Sequence, residues 1–199
     1  MGTRCRLSWL AGECYTGRMK TTTPPLQGSD LFSAIVAAPF GAIGIRTEAG
    51  RVCELVYLPP HFSEKNATDG VADAACRQLG RYLADPDFVF DLPLATVGTL
   101  FQQRVWSAIS AIARGSVRTY GQIASHIGSA PRAVGQACGA NWFPLLIPCH
   151  RVTAANALGG FANQTDEDGF HLGVKRWLLR HEGAVVGAAA PWRQQAMWA

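Results

Sequence analysis

The stretch Leu146-Ile147-Pro148-Cys149-His150-Arg151-Val152 holds the residue types best suited to covalent chemistry. A thiol becomes a nucleophile as its thiolate, and a neighbouring imidazole or a cationic environment makes thiolate accessible near neutral pH. An apolar run that delivers a cysteine beside a histidine and an arginine supplies those ingredients. The competing reading is a buried, unreactive thiol that happens to precede a histidine. The dipeptide alone does not decide between them.

The other cysteines, Cys5, Cys14, Cys53, Cys76 and Cys138, form no C-x-x-C pair and no regular framework. Scattered thiols suit a reducing cytoplasm better than a disulfide scaffold or a zinc ribbon. His61 and the early cysteines match no ligand spacing, so neither a metal nor any other cofactor is expected. No apolar run is long enough to span a bilayer. The apolar patch after Arg4 and Arg6 is short and broken by Glu13, which argues against a signal peptide.

Charge is spread unevenly along the 199 residues, whose net charge is +4. From Leu92 through Thr165 there is no Asp or Glu, while Arg104, Arg114, Arg118, Arg132 and Arg151 all fall inside. An acid-free, arginine-bearing segment suits a polyanion, because phosphate contacts supply most sequence-independent affinity for nucleic acid. Chance in a weakly charged chain gives the same pattern, so a motif is needed.

The elements that would position the cysteine can be read from periodicity. Thr21-Thr22-Thr23-Pro24-Pro25 marks a linker. Residues 1–29 are expected to be an extension, disordered or, if translation starts at Met19, partly absent from the protein. Short β-type runs follow at Leu31–Ala38, Ala42–Arg46 and Val52–Leu58, separated by Pro39-Phe40-Gly41 and Glu48-Ala49-Gly50, which predicts an antiparallel meander. Val71–Leu83 predicts a helix with Ala75, Leu79 and Leu83 on one stripe, stopped by Asp85-Pro86. A further strand is expected over Phe88–Leu94. Phe101, Val105, Ile109 and Ile112 then repeat at helical spacing, with an end near Arg114-Gly115. A short helix over Thr119–Gly128, a turn at Ser129-Ala130-Pro131 and a second helix over Arg132–Gly139 form a helix-turn-helix. That second helix bears small residues where a major-groove reader carries Asn, Gln or Arg. It suits close backbone approach to a shallow groove, with Arg132 at its tip able to enter a base stack.

Four ordered blocks resemble the O6-alkylguanine-DNA alkyltransferases. They are Arg118-Thr119-Tyr120-Gly121-Gln122-Ile123-Ala124, Arg132-Ala133-Val134-Gly135, Ile147-Pro148-Cys149-His150-Arg151-Val152 and Lys175-Arg176-Trp177-Leu178-Leu179-Arg180-His181-Glu182-Gly183. The resemblance runs from about Gly98 to Gly183. It implies an α+β protein: a small ribonuclease-H-like antiparallel-sheet domain over residues 30–95, a mainly helical, winged-helix-like (helix-turn-helix) domain over residues 96–184, and a tail over 185–199. The implied function is DNA repair by single, irreversible transfer of an alkyl group from O6-alkylguanine, and by extension O4-alkylthymine, to Cys149. The implied partner is damaged duplex DNA bound through its minor groove by a cytoplasmic monomer, nucleoid-associated in a bacterium.

The resemblance also assigns roles. A lesion inside a duplex must be rotated out before a buried thiol can reach it. Arg132 matches the finger that fills the vacated stack, and Tyr120 the tyrosine that helps rotate the nucleotide and donates to guanine N3. Asn141 matches the residue tying the helix-turn-helix to the active-site turn. Cys149 matches the nucleophile, His150 its proton relay and Glu182 the carboxylate that orients the histidine. Ala133, Gly135, Arg151, Val152, Phe161, Ala162 and Lys175 fall at positions expected to contact substrate or DNA. Departures are visible: Phe161 where the family has tyrosine, Trp142 where it has proline, and a longer, acidic loop over 163–171. Cys138 also stands where a bulkier apolar residue is frequent. An alkyltransferase-like protein that recognises lesions without repairing them is the alternative, disfavoured because such proteins lack the reactive cysteine. A Cys-His hydrolase explains neither the helix-turn-helix nor the acid-free stretch.

Overall fold

The computed structural model describes residues 28–184; the expectations for the extension before Gly28 and the tail after Ala184 lie outside them. The meander forms as expected: β1 (Ala34–Ala38), β2 (Gly41–Glu48) and β3 (Arg51–Leu58) make one antiparallel sheet in that order. β1 is shorter than the apolar run, because Gly28–Leu31 coils into a 3-10 turn that leads into it. Helix α1 (Gly70–Ala84) starts where the Asp69 carboxylate accepts the amides of Val71 and Ala72, the usual remedy for the unpaired first turn. It buries Ala72, Ala75, Leu79 and Tyr82.

The strand expected over Phe88–Leu94 does not form. That segment is extended, but its pairing with β3 is limited to amide–carbonyl bonds from Val52 to Pro93 and from Ala95 to Val52. The Gln78 side chain takes up both main-chain groups of Asp91, and Pro93 has no amide to offer. A side-chain amide has replaced a neighbouring strand.

The rest is helical, with α2 (Leu100–Ser110), α3 (Tyr120–Ile127), α4 (Pro131–Gly139) and α5 (Phe170–His181). α2 ends earlier than its stripe predicts, since Ile112 is buried from a turn rather than from the helix. α3 begins with a reciprocal capping box between Thr119 and Gln122 and stops at Gly128, whose φ of 64° favours glycine. Pro131 occupies the first turn of α4, where its missing amide is no loss. Two short strands, β4 (Arg118–Thr119) and β5 (Val152–Thr153), pair in parallel. They fasten the start of the helix-turn-helix to the chain just after Cys149.

The boundary expected near residue 95 falls in the extended segment, yet one hydrophobic core runs across it. Most buried side chains from Ala34 to Ala184 join one cluster, with Phe32, Ile35, Ala42 and Leu58 in a smaller one on the sheet. Phe40 meets Trp177 edge-on at 5.3 Å, Tyr57 packs on Phe161 at 5.5 Å, and the Leu55 amide donates to the Trp142 carbonyl. The sheet and the helical part therefore stabilise each other, since burial of apolar surface is the dominant favourable term.

Candidate active site

Cys149 opens a 3-10 turn, Cys149–Arg151, that emerges from a tightly folded lead-in. Leu145 in that lead-in has φ of 74°, a region that bulky side chains rarely adopt. Asn141 holds the turn at three points. Its Nδ2 donates to the Ile147 carbonyl at 2.8 Å and approaches Cys149 Sγ at 3.3 Å, while its Oδ1 accepts the Phe143 amide at 3.0 Å. Asn141 lies just past the Ala140 cap of α4, so α4 and Cys149 are joined through one side chain.

Behind the cysteine lies a buried charge network. His150 and Glu182 are 0 % and 1 % exposed. His150 Nε2 lies 2.9 Å from Glu182 Oε1. Arg151 grips the same carboxylate with Nε on Oε2 and Nη2 on Oε1, both at 2.8 Å, and gives Nη1 to the Ile112 carbonyl. Tyr82 of α1 donates its hydroxyl to Oε1 at 2.8 Å. Burial pushes the Glu182 carboxyl up, but the bonds from His150 and Arg151 outweigh it and leave the group well below the carboxylate range. Burial holds His150 below the usual imidazole value, against the pull of Glu182. Burial likewise raises the Cys149 thiol, although Asn141 and Lys175 favour its thiolate. At neutral pH the resting site is thus thiol, neutral imidazole and an ionised Glu182–Arg151 pair. The thiol need not lose its proton until a substrate arrives.

Cys149 lies in the wall of a cavity of about 470 Å³. Tyr120, Arg132, Gly135, Phe161 and Ala162 of the expected set also line it, together with Cys138 and the turn after Phe161. Arg132 is exposed at its mouth, in the first turn of α4. Tyr120, the first residue of α3, gives its hydroxyl to the Gly160 carbonyl at 3.0 Å, and burial raises its pKa. Its ring lies on Gly159, where a Cβ would sit 3.0 Å from Tyr120 Cε2 and where φ is 71°; only glycine suits that place.

Several expected contact residues have other employment. Arg151 is committed to Glu182, whose carboxylate its guanidinium braces. Val152 is fully buried and offers its carbonyl to Lys175. Lys175 is 0 % exposed, and its Nζ donates to the carbonyls of Val152 and Leu158 at 2.7 Å and Gly160 at 3.0 Å. Burial brings its pKa down to about 8, although negative charge on Cys149 or Cys138 would oppose the shift. Ala133 lies on α4 away from the cavity wall. The arginines of the acid-free stretch are thinned in the same way: Arg104 bonds to the Ile127 carbonyl and Arg114 to Asp87. Arg118 and Arg132 are both exposed and have no partner among the described residues.

The loop after Phe161 resolves one departure. Ala162 and Asn163, with φ of 49° and 61°, form a tight turn closed by paired amide–carbonyl bonds between Phe161 and Gln164. Asn163 Nδ2 reaches the Gly139 carbonyl at 2.9 Å across the cavity edge. Asn163, Gln164 and Thr165 line the cavity, whereas the acidic Asp166, Glu167 and Asp168 are exposed outside it. Sequence reasoning missed Tyr82, Asn163 and Trp106, whose indole N–H donates to the Ala137 carbonyl and anchors α4. No local pattern marks them, because their partners are far along the chain.

Residues 100–184 match the family model for the 6-O-methylguanine DNA methyltransferase DNA-binding domain. The constitutive methylated-DNA–protein-cysteine methyltransferase of Bacillus subtilis is 43% identical over 151 residues, covering 69% of this chain and 91% of that protein. The Salmonella typhimurium methylated-DNA–protein-cysteine methyltransferase is 46% identical over 147 residues, covering 71% of this chain and 80% of its own. Among solved structures, the Mycobacterium tuberculosis O6-methylguanine methyltransferase is similar with a TM-score of 0.62 at 32% identity, covering 78% of this chain and 94% of that one. The DNA complex of the Mycobacterium tuberculosis protein gives a TM-score of 0.62 at 34% identity, covering 74% and 90%.

Proposed function

The chain belongs to the methylated-DNA–protein-cysteine methyltransferase family, and on that premise we propose how its residues divide the work. It is a direct-reversal DNA repair protein, which moves the alkyl group of O6-alkylguanine in DNA onto its own cysteine, irreversibly and once per molecule. Cys149 is the acceptor. The observation that carries this assignment is its place in the cavity wall, with the neutral His150 and ionised Glu182 directly behind it.

The lesion is rotated out of the duplex into the cavity. Arg132, exposed at the mouth, fills the gap it leaves, and the Tyr120 hydroxyl turns from the Gly160 carbonyl toward guanine N3. The Cys149 proton passes through water to His150, and Glu182 stabilises the imidazolium that results. Sulfur then attacks the alkyl carbon, the carbon–O6 bond breaks, and donors along the cavity edge receive the charge that develops on guanine. The imidazolium returns that proton through water to the leaving guanine, so the sum is a thioether and an unmodified base. No step calls for a cofactor.

The division into residues 30–95 and 96–184 follows this labour: the sheet and α1 support, the helical part binds and reacts. The small residues of α4 suit a minor-groove approach by a monomer. No helix among the described residues is long and apolar enough to cross a membrane, and the reading places the protein in the cytoplasm with DNA. The alternative, a lesion binder that transfers nothing, is disfavoured by the cysteine in the cavity wall.

The test is intact-mass measurement after incubation with duplex DNA containing O6-methylguanine. The expected result is a gain of one methyl group per molecule, abolished by Cys149→Ser. Tight binding without a mass gain would overturn alkyl transfer; a gain that persists in Cys149→Ser would overturn the assignment of the acceptor.

A further inference from the structure

The carboxylate behind the reactive cysteine is completed from outside the catalytic segment. Tyr82 lies in the last turn of α1, a hundred residues before Glu182, and is buried at 2 % exposure. Its hydroxyl donates to Glu182 Oε1 at 2.8 Å, the same oxygen that faces His150 Nε2 at 2.9 Å and Arg151 Nη2 at 2.8 Å. The main chain of Tyr82 holds the neighbouring residue as well: His181 Nε2 lies 2.8 Å from the Tyr82 carbonyl, and the two rings meet edge-on at 5.3 Å. One residue of α1 thereby grips two consecutive residues at the end of α5, one by its side chain and one by its backbone.

We propose that Tyr82 is a positioning residue for alkyl transfer, which aims Glu182 at His150 and moderates the charge that the carboxylate offers it. The inference rests on the reading of Cys149 as acceptor. Oε1 accepts from Tyr82 and Arg151 and also lies 2.9 Å from His150 Nε2, whereas Oε2 accepts the Arg151 Nε alone. A hydroxyl on Oε1 fixes the carboxylate's rotation and draws negative charge from the atom that stabilises the imidazolium. The Arg151 fork fixes the plane of the carboxylate, and Tyr82 adds a donor to the one oxygen that faces His150. The arrangement also assigns the amino-terminal segment a part in the chemistry, because α1 adds a donor to those that Arg151 gives Glu182.

The sign of the pH effect follows from the groups around the imidazole. His150 is faced by Glu182 and Lys175 of the α5 region and by Arg151 and Cys149 of its own turn. Tyr57 of β3 and Tyr82 of α1 feel the Glu182 charge, and Arg114 reaches only the Glu182 backbone carbonyl. Glu182 is the group that favours imidazolium, while burial, Arg151 and Lys175 oppose it. Without the Tyr82 hydroxyl, Oε1 keeps more charge for His150, so the imidazole takes a proton at higher pH and is lost as an acceptor there.

The experiment compares wild type with Tyr82→Phe, which keeps the ring and its packing, in time courses of Cys149 methylation by O6-methylguanine duplex across pH. The expected result is about a tenfold slower transfer and an acid limb of the rate profile moved to higher pH. Replacing Tyr82 with 4-aminophenylalanine restores a donor on the same ring and should return both toward wild type. If Tyr82→Phe does not fold, 4-aminophenylalanine and 4-fluorophenylalanine at the same position differ only in the donor and take its place. A folded Tyr82→Phe protein with the wild-type rate and an unmoved acid limb overturns the proposal. A slower rate that the 4-amino ring leaves unrestored, with melting temperatures equal, overturns it too. A wild-type protein that gains no methyl group would instead overturn alkyl transfer itself, so the two failures are distinct.

Discussion

Lys175→Met separates what a buried charge costs from what it organises. In the wild type the ammonium donates to three main-chain carbonyls, Val152, Leu158 and Gly160, from a fully buried position. Hydrogen bonds to a charged group contribute about 1.5 kcal/mol each at the low end, so losing all of them costs about 4–5 kcal/mol. Against this, the depression of the lysine from 10.5 to about 8 is a charge-burial penalty of about 3 kcal/mol, which the variant escapes. The two large terms nearly offset, and the variant should be only about 1–2 kcal/mol less stable than wild type near neutral pH.

The pH dependence follows from the same shift. Below about pH 8 the lysine is charged in both the folded and unfolded chain, and the penalty is fully present. Between about 8 and 10.5 the unfolded chain binds more protons, so the wild type gains stability relative to the variant as pH rises. Other groups titrate in that window, Cys138 among them with its thiol pushed up to about 12; taking the difference between the two proteins reduces their share. Urea unfolding of both at several pH values reads the difference directly. A gap that stays flat across the window, or a loss far above about 3 kcal/mol at neutral pH, would refute the reasoning. Methyl transfer should fall well beyond the modest stability loss, because the Gly160 carbonyl, shared with the Tyr120 hydroxyl, loses its anchor.

Arg132→Ala should slow repair of duplex DNA by one to two orders of magnitude, about 1.4–3 kcal/mol of transition-state stabilisation, while attack on the free base O6-benzylguanine changes little. Parallel intact-mass time courses decide it, and equal losses on both substrates would sink the flipping role. Ala162→Gly should stabilise the protein by about 1 kcal/mol in thermal or urea unfolding, since Ala162 takes φ of 49° in a turn that needs positive φ at both central residues. A destabilised variant would mean that the alanine methyl packs more than its backbone strains.

Much of this protein is legible in its sequence, for a physical reason that can be named residue by residue. Glycine and proline punctuation, capping residues and helical stripes act over a few positions. The meander, α1, α3, α4 and the turn at Gly128 could therefore be read locally. The segment Phe88–Leu94 could not, because its apolar content is that of a strand, but Gln78 of another element takes up the main-chain groups a neighbouring strand would need. Ordered motifs mark Cys149, His150 and Glu182 and their roles; their ionisation is not visible there. A carboxylate near a helix end is ordinarily solvated. Only the tertiary structure buries Glu182, surrounds it with His150, Arg151 and Tyr82, and so decides that the imidazole rests neutral and the thiol protonated. It also decides which arginines are paired among the described residues: Arg151 and Arg114 are, Arg132 and Arg118 are not, and no count of charges along the chain distinguishes them. Sequence sets what each residue is able to donate, accept or bury locally, whereas desolvation and pairing depend on distant parts of the chain meeting, and those set the ionisation of the site.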